Sequence, residues 1–208
     1  MPVIALVGNK GGAGKTTLTV NLAVGLGRVG RVVILDTDPQ GSSAQWRAIA
    51  EDDTIPDVVA ATEYLAEQVR DLRTNYDYVV VDCPPYVQAP QTMSILQVSD
   101  LALIPVQPSP FDLWASVHIE DAVVHARDAN PALKAMLVIN QLEPRTTFSQ
   151  LMRDALGEID IPVSETAIRR RAIYRASVLE GRSVYAMGKR GAEAVEELDL
   201  LIKEVTGS

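Results

Sequence analysis

A single cysteine, Cys83, occurs among 208 residues. An internal disulfide and a multi-cysteine zinc site are therefore excluded, and the expected role of that thiol is packing. No apolar run approaches the roughly 20 residues needed to span a bilayer, and Met1 leads into an apolar stretch without a basic leader. A cytoplasmic protein without membrane contact is expected. Internal repeats, low-complexity tracts and flexible linkers are missing as well. Positive charge is also in short supply: 19 Lys and Arg stand against 27 Asp and Glu, a net charge of −8. A nucleic-acid backbone would repel such an average surface, so any contact with one has to be local.

What is present begins at Val3. Residues 3–17 read V-I-A-L-V-G-N-K-G-G-A-G-K-T-T, an apolar run ending in glycines, a lysine and two threonines, with helix-like spacing immediately after. Such a stretch makes a phosphate cradle. A buried strand delivers the loop, Gly11, Gly12, Ala13 and Gly14 close backbone N–H groups around an anion, and the helix from Lys15, Thr16 and Thr17 adds the positive end of its dipole. Lys15 then serves the β- and γ-phosphates of a nucleotide, and the Thr16 hydroxyl serves Mg²⁺. The general pattern G-x-x-x-x-G-K-[ST] asks for glycine where this chain has Asn9, and a second lysine, Lys10, stands inside the loop.

Strand-like and helix-like segments alternate along the rest of the chain. Leu18, Leu22, Leu26 and Val29 recur at helical spacing before Gly30, which predicts a helix from Gly14 to Val29. A strand is expected over Arg31 to Asp36, then helices over Ser42 to Ala50 and Ala61 to Leu72. Tyr78 to Asp82 is four apolar residues ending in a carboxylate, the pattern of a central strand of a parallel sheet. Further expectations are a helix over Thr92 to Val98, a strand over Leu101 to Val106 and a long helix from about Asp112 to Asp128. After these come a strand over Ala135 to Asn140, a helix over Phe148 to Gly157, an edge-like strand Ile161 to Val163, and an acidic amphipathic helix from Glu193 to Val205. The alternation predicts one α/β domain over residues 1–208 with a doubly wound, mostly parallel sheet flanked by helices. Phe111 and Trp114 read as core or interface packing.

Three carboxylates stand at predicted strand ends, where open α/β sheets bind ligands. Asp82 is the natural partner of Mg²⁺ beside a phosphate loop, the competing role being a cap for the next turn. Asp36 and Asp38 lie two apart in L-D-T-D-P-Q-G. One of them is expected to orient the water that attacks the γ-phosphate, although an aspartate before proline also starts turns.

The string K-G-G-A-G-K-T, with Lys10 inside the loop, resembles the deviant Walker A ATPases of the ParA/MinD superfamily, and the likeness extends from Val3 to about Lys203. The resemblance implies a P-loop NTPase fold and an ATPase using ATP and Mg²⁺. It places water activation on Asp38, metal support on Asp36, and an adenine contact on the Asn140 amide. It also sends Lys10 across a homodimer interface to the partner's nucleotide, with Pro108 and Ser109 framing the dimer face. Within the superfamily a lone cysteine argues against cluster-holding reductases. The acidic last helix argues against membrane-docking members, and the position of the loop argues against a preceding operator-binding domain. The compact, ParF-like partition ATPases remain.

Against the acidic average, Arg169, Arg170, Arg171, Arg175, Arg182, Lys189 and Arg190 accumulate between Ala167 and Gly191 beside one acid, Glu180. Arg171 and Arg175 would share a face if that stretch is helical. The segment resembles the part of ParA-type ATPases that grips DNA without sequence preference, the competing role being ion pairs to the acidic last helix. The implied cycle is dimerisation on ATP, nonspecific binding to nucleoid DNA, and release when a ParB-like or adaptor protein stimulates hydrolysis. Its cargo would be a plasmid, a chromosome or a protein assembly. An enzyme of the dethiobiotin-synthetase sort, coupling ATP to a small molecule, is the alternative.

Overall fold

Four consecutive apolar residues form β1, Val3–Leu6, and their burial on both faces places this strand in the middle of a parallel sheet. The structure is a computed structural model that describes residues 2–51, 53–143, 152 and 154–207, and only the backbone of 111–117. The other strands are β2 Val32–Asp36, β3 Val58–Ala60, β4 Tyr78–Asp82, β5 Leu101–Val106, β6 Lys134–Leu142 and β7 Ile168–Arg169. Their order in the sheet is β3-β2-β4-β1-β5-β6-β7, and every pairing is parallel.

Alternate side chains divide the core into two layers, as the two-residue strand period requires. Val3 and Ala5 of β1, Val33 and Leu35 of β2, and Val79 and Val81 of β4 face one layer. It is closed by α3 Leu65–Asn75, α4 Pro90–Leu96 and α5 Pro110–Ala129. Ile4 and Leu6, with Ile34 and Val80, face the other, which is covered by α1 Lys15–Leu26 and the last helix, α7 Ala192–Thr206. Leu18, Leu22 and Leu26 of α1 and Leu198 and Leu201 of α7 meet there. Each such buried leucine contributes about 1.5–3 kcal/mol relative to exposure. Among the described residues there are also α2 Ser42–Ile49, α6 Ala172–Leu179 and a 3-10 helix over Val184–Arg190. No helix among the described residues is long and apolar enough to cross a membrane.

Several expectations need correction. α1 stops at Leu26, and Val29, assigned to its apolar stripe, is exposed beyond the helix end. The helix expected over Ala61 to Leu72 instead spans Leu65–Asn75; the Ala61 N–H still donates to the Asp36 carbonyl of β2, at 3.0 Å, as the chain leaves β3. β7 pairs with β6 where no strand was expected, and the edge strand Ile161 to Val163 reduces to one bridge from Val163 to Leu137. Half of the helix expected over Phe148 to Gly157, and the side chains of Phe111 and Trp114, lie outside the described residues; 152 and 154–156 are helical.

Candidate functional site

The side on which strands are added switches around β1: the chain leaves it toward β2 on one side and leaves β4 toward β5 on the other. Ligands of open α/β sheets bind outside the strand carboxyl ends at such a switch point, and residues 7–14 lie there. Gly12 (φ 81°) and Gly14 (φ 90°) take left-handed conformations that L side chains rarely adopt. A Cβ on Gly11 or Gly12 would meet nothing within 4 Å, so the loop stands over open space. Gly14 is the N-cap of α1, and its carbonyl accepts the first helical bond, from Leu18 N at 2.9 Å.

Lys15 opens that helix and is buried, its ammonium donating to the Lys10 carbonyl at 3.1 Å. Burial lowers its pKa, while the neighbouring carboxylates, Asp82 foremost and also Asp38, raise it. A buried ammonium with one carbonyl contact suits an anion in the loop. Lys10 itself is exposed.

Parallel register sets Asp82 beside Leu6 on one side and Asp36 on the other. Asp82 is buried and accepts hydrogen bonds from Ser43 Oγ at 2.6 Å and Thr19 Oγ1 at 3.4 Å. Burial pushes its pKa up to about 6, opposed by the Ser43 and Thr16 hydroxyls, reinforced by Asp36 and opposed again by Lys15. Such a carboxylate is short of a cation. The described residues contain no group of three or more His, Cys, Asp or Glu able to cage a metal. That fits Mg²⁺, which takes one or two protein ligands and completes its shell with phosphate oxygens and water.

Asp36 accepts N–H groups on both oxygens, from Asp38 at 3.1 Å and Ala44 at 3.0 Å. It therefore ties the turn to the first residues of α2, and burial raises its pKa above the ordinary carboxylate range. Asp38 is half-buried, with Oδ1 accepting Gln40 N at 2.9 Å and its carbonyl accepting Gly41 N at 2.8 Å. The turn role and the place beside Lys15 thus coexist. Asp38 lines a cavity of about 660 Å³ together with Asp36, Glu63 and Gln91.

Asn140, expected to offer its amide to adenine, donates that amide to the Ala13 carbonyl at 2.7 Å. It approaches so closely that a Cβ on Gly14 would lie 2.4 Å from Nδ2. Asn140 also borders a second cavity, of about 440 Å³, between the start of α1 and α6, with Leu18, Tyr174 and Val178 in its lining. The Tyr174 hydroxyl is buried there without a partner among the described residues. Gln107 and Gln141, which no motif singles out, both donate to the Gly12 carbonyl.

The arginines divide into two groups. Arg171 does not share a helix face with Arg175, because α6 begins at Ala172 and Arg171 is its extended N-cap. The Arg171 guanidinium turns to α7, pairing with Glu197 at 2.7 Å and with Glu193. Arg169 pairs with Glu197 at 3.6 Å, and Arg170 with Glu143. Arg175 and Arg182 are exposed and have no ion pair among the described residues.

A glycine loop with a buried lysine, a helix starting behind it and a carboxylate on the adjacent strand define a P-loop nucleotide-binding protein. The chain matches the CobQ/CobB/MinD/ParA nucleotide binding domain over residues 4–184 and belongs to that family. It is 39% identical over 208 residues to the maintenance of carboxysome distribution protein A of Halothiobacillus neapolitanus, covering 99% of this chain and 96% of the relative. The protein of the same name from Gloeobacter kilaueensis is 34% identical, with 95% and 94% covered. Among solved structures, the septum site-determining protein MinD of Pyrococcus horikoshii, complexed with Mg-ADP, shares the fold. Its TM-score is 0.75 at 21% identity, over 99% of this chain and 97% of that one.

Proposed function

We propose that this protein is a Mg²⁺-dependent ATPase that dimerises on ATP, binds DNA without sequence preference, and spaces a protein assembly of the carboxysome kind along it as a single-domain protein. The observation that carries this reading is the end-to-end similarity to a protein named for carboxysome distribution, at 39% identity.

In this reading the N–H groups of residues 11–17 and the Lys15 ammonium hold the triphosphate. Thr16 and Asp82 hold Mg²⁺, which offsets phosphate charge when bound, and Asp36 supports them through the turn it fixes. Asp38 orients the attacking water, and Lys10 reaches the partner's phosphates. Arg175 and Arg182 contact DNA, while Arg169, Arg170 and Arg171 form the frame behind them. An adaptor protein on the cargo stimulates hydrolysis and releases the dimer.

Turnover measured with and without random-sequence DNA and the adaptor from the same operon tests this. Stimulation of several-fold or more is expected. Turnover indifferent to both would favour an enzyme acting on a small molecule.

A further inference from the structure

A loop that turns its N–H groups toward an anion turns its carbonyls away, because each peptide unit is planar. Those carbonyls then need donors of their own. Here the donors are three side-chain amides. Gln107 Nε2 and Gln141 Nε2 both reach the Gly12 carbonyl, at 2.7 and 3.1 Å, and Asn140 Nδ2 reaches that of Ala13 at 2.7 Å. A carbonyl oxygen has two lone pairs, so Gly12 is held from two sides, by the residue following β5 and by a residue of β6.

The backbone is distorted where these amides converge. Successive side chains of a regular strand point to opposite faces, so Asn140 and Gln141 could not both face the loop from an undisturbed β6. The strand is bulged there: Asn140 pairs with Ile168 and Leu142 with Arg169, and the register shifts between them. Gln141 has φ 57°, alone among the described non-glycine residues in the left-handed region. Bulges re-aim side chains beside active sites, and this one turns two adjacent amides onto two adjacent loop carbonyls.

We propose that Gln107, Asn140 and Gln141 are positioning residues that clamp the phosphate loop with its N–H groups presented to the nucleotide. They act through the loop without touching phosphate. The proposal rests on the reading of residues 8–17 as the nucleotide site.

The test uses Gln141→Gly, Gln107→Met and the double variant of the full chain. Affinity for inorganic pyrophosphate and for a slowly hydrolysed ATP analogue is measured by calorimetry, and melting temperature without ligand in parallel. Gln141→Gly should melt at or above the parent temperature, since glycine accepts the left-handed conformation, yet bind both probes more weakly by roughly threefold to tenfold. Stability and affinity then move in opposite directions, which a purely structural role would not produce. Only the double variant strips the Gly12 carbonyl of both donors, so its loss should exceed the product of the single losses. Binding by the double variant within about twofold of the parent would overturn the clamp, as would losses that merely follow the melting temperature. If Gln107→Met does not fold, Gln141→Gly decides by itself. A parent that binds neither probe would overturn the nucleotide reading and the clamp with it. A parent that binds while the variants match it overturns the clamp alone.

Discussion

Asp82 is held between opposing demands: its pKa is raised to about 6 by burial, and its candidate role needs it charged. The unfolded carboxylate titrates near 3.8, so between that value and about 6 the folded protein holds the proton and the unfolded chain has released it. Stability therefore falls as pH rises through this window, by roughly 3 kcal/mol for a shift of about 2 units. Asp36, also raised by burial, adds to the same trend. Asp82→Asn should flatten this decline in the ligand-free protein, melt higher than the parent at pH 7.5, and lose Mg²⁺-dependent nucleotide binding. A variant melting below the parent at pH 7.5 would show that the buried charge is compensated. Asp38 poses a different question, since it already serves a turn through Gln40 and Gly41. Asp38→Ala should keep ATP binding and dimerisation while turnover drops about 10²-fold or more, as for loss of a general base. A single-turnover rate within about twofold of the parent would remove that assignment.

At the scale of elements, α7 decides what the arginine-rich segment can do. Its Glu193 and Glu197 hold Arg171, whose side chain is 20% exposed, and the backbone N–H of Arg169 also donates to Glu197 at 3.1 Å. Arg171→Ala leaves Glu197, itself 13% exposed, with weaker compensation. The expected loss is roughly 2 kcal/mol of stability, a melting shift of several degrees at this chain length. Arg175→Ala with Arg182→Ala removes two exposed cations and should leave melting unchanged. DNA affinity should fall equally for unrelated sequences, and the slope of log K against log salt should become shallower by about 0.9 for each phosphate that is no longer neutralised. An unchanged slope would take these two residues out of the DNA interface.

For the whole molecule, the question is whether one chain suffices. Lys10 stands exposed on the phosphate loop and offers Lys15 its carbonyl. If Lys10 serves its own subunit, Lys10→Gln weakens nucleotide binding and nothing else. The expected outcome is that the variant binds ATP nearly normally as a monomer but fails to dimerise. Each nucleotide of a symmetric pair would lose a cross-subunit charge-assisted bond of about 1.5–3 kcal/mol. DNA binding should vanish with the dimer, because two weak basic patches gain affinity by acting together. Sedimentation with a slowly hydrolysed ATP analogue, then with DNA, reads both effects. A full-strength dimer would end the cross-subunit role.

The amino-acid sequence by itself determined the centre of the fold. The β1, phosphate loop and α1 succession and the strand ending in Asp82 were legible because each is written in one short window. An unbroken apolar run marks a strand buried on both faces, glycines mark positive φ, and a three-to-four-residue period marks a helix. β3 and β7 were not legible, since they are three and two residues long and exist by virtue of the strands they join. Tertiary structure also decided which arginines are already paired, because the acids that hold Arg171 lie 22 and 26 residues away on another helix. It likewise decided the hydrogen-bond partner of Asn140, whose amide reaches a carbonyl 127 positions distant, and of Gln107 and Gln141, which belong to no motif. Local windows carry period and propensity, whereas a hydrogen bond between residues that far apart depends on where two strands and a loop come to rest in the packed sheet.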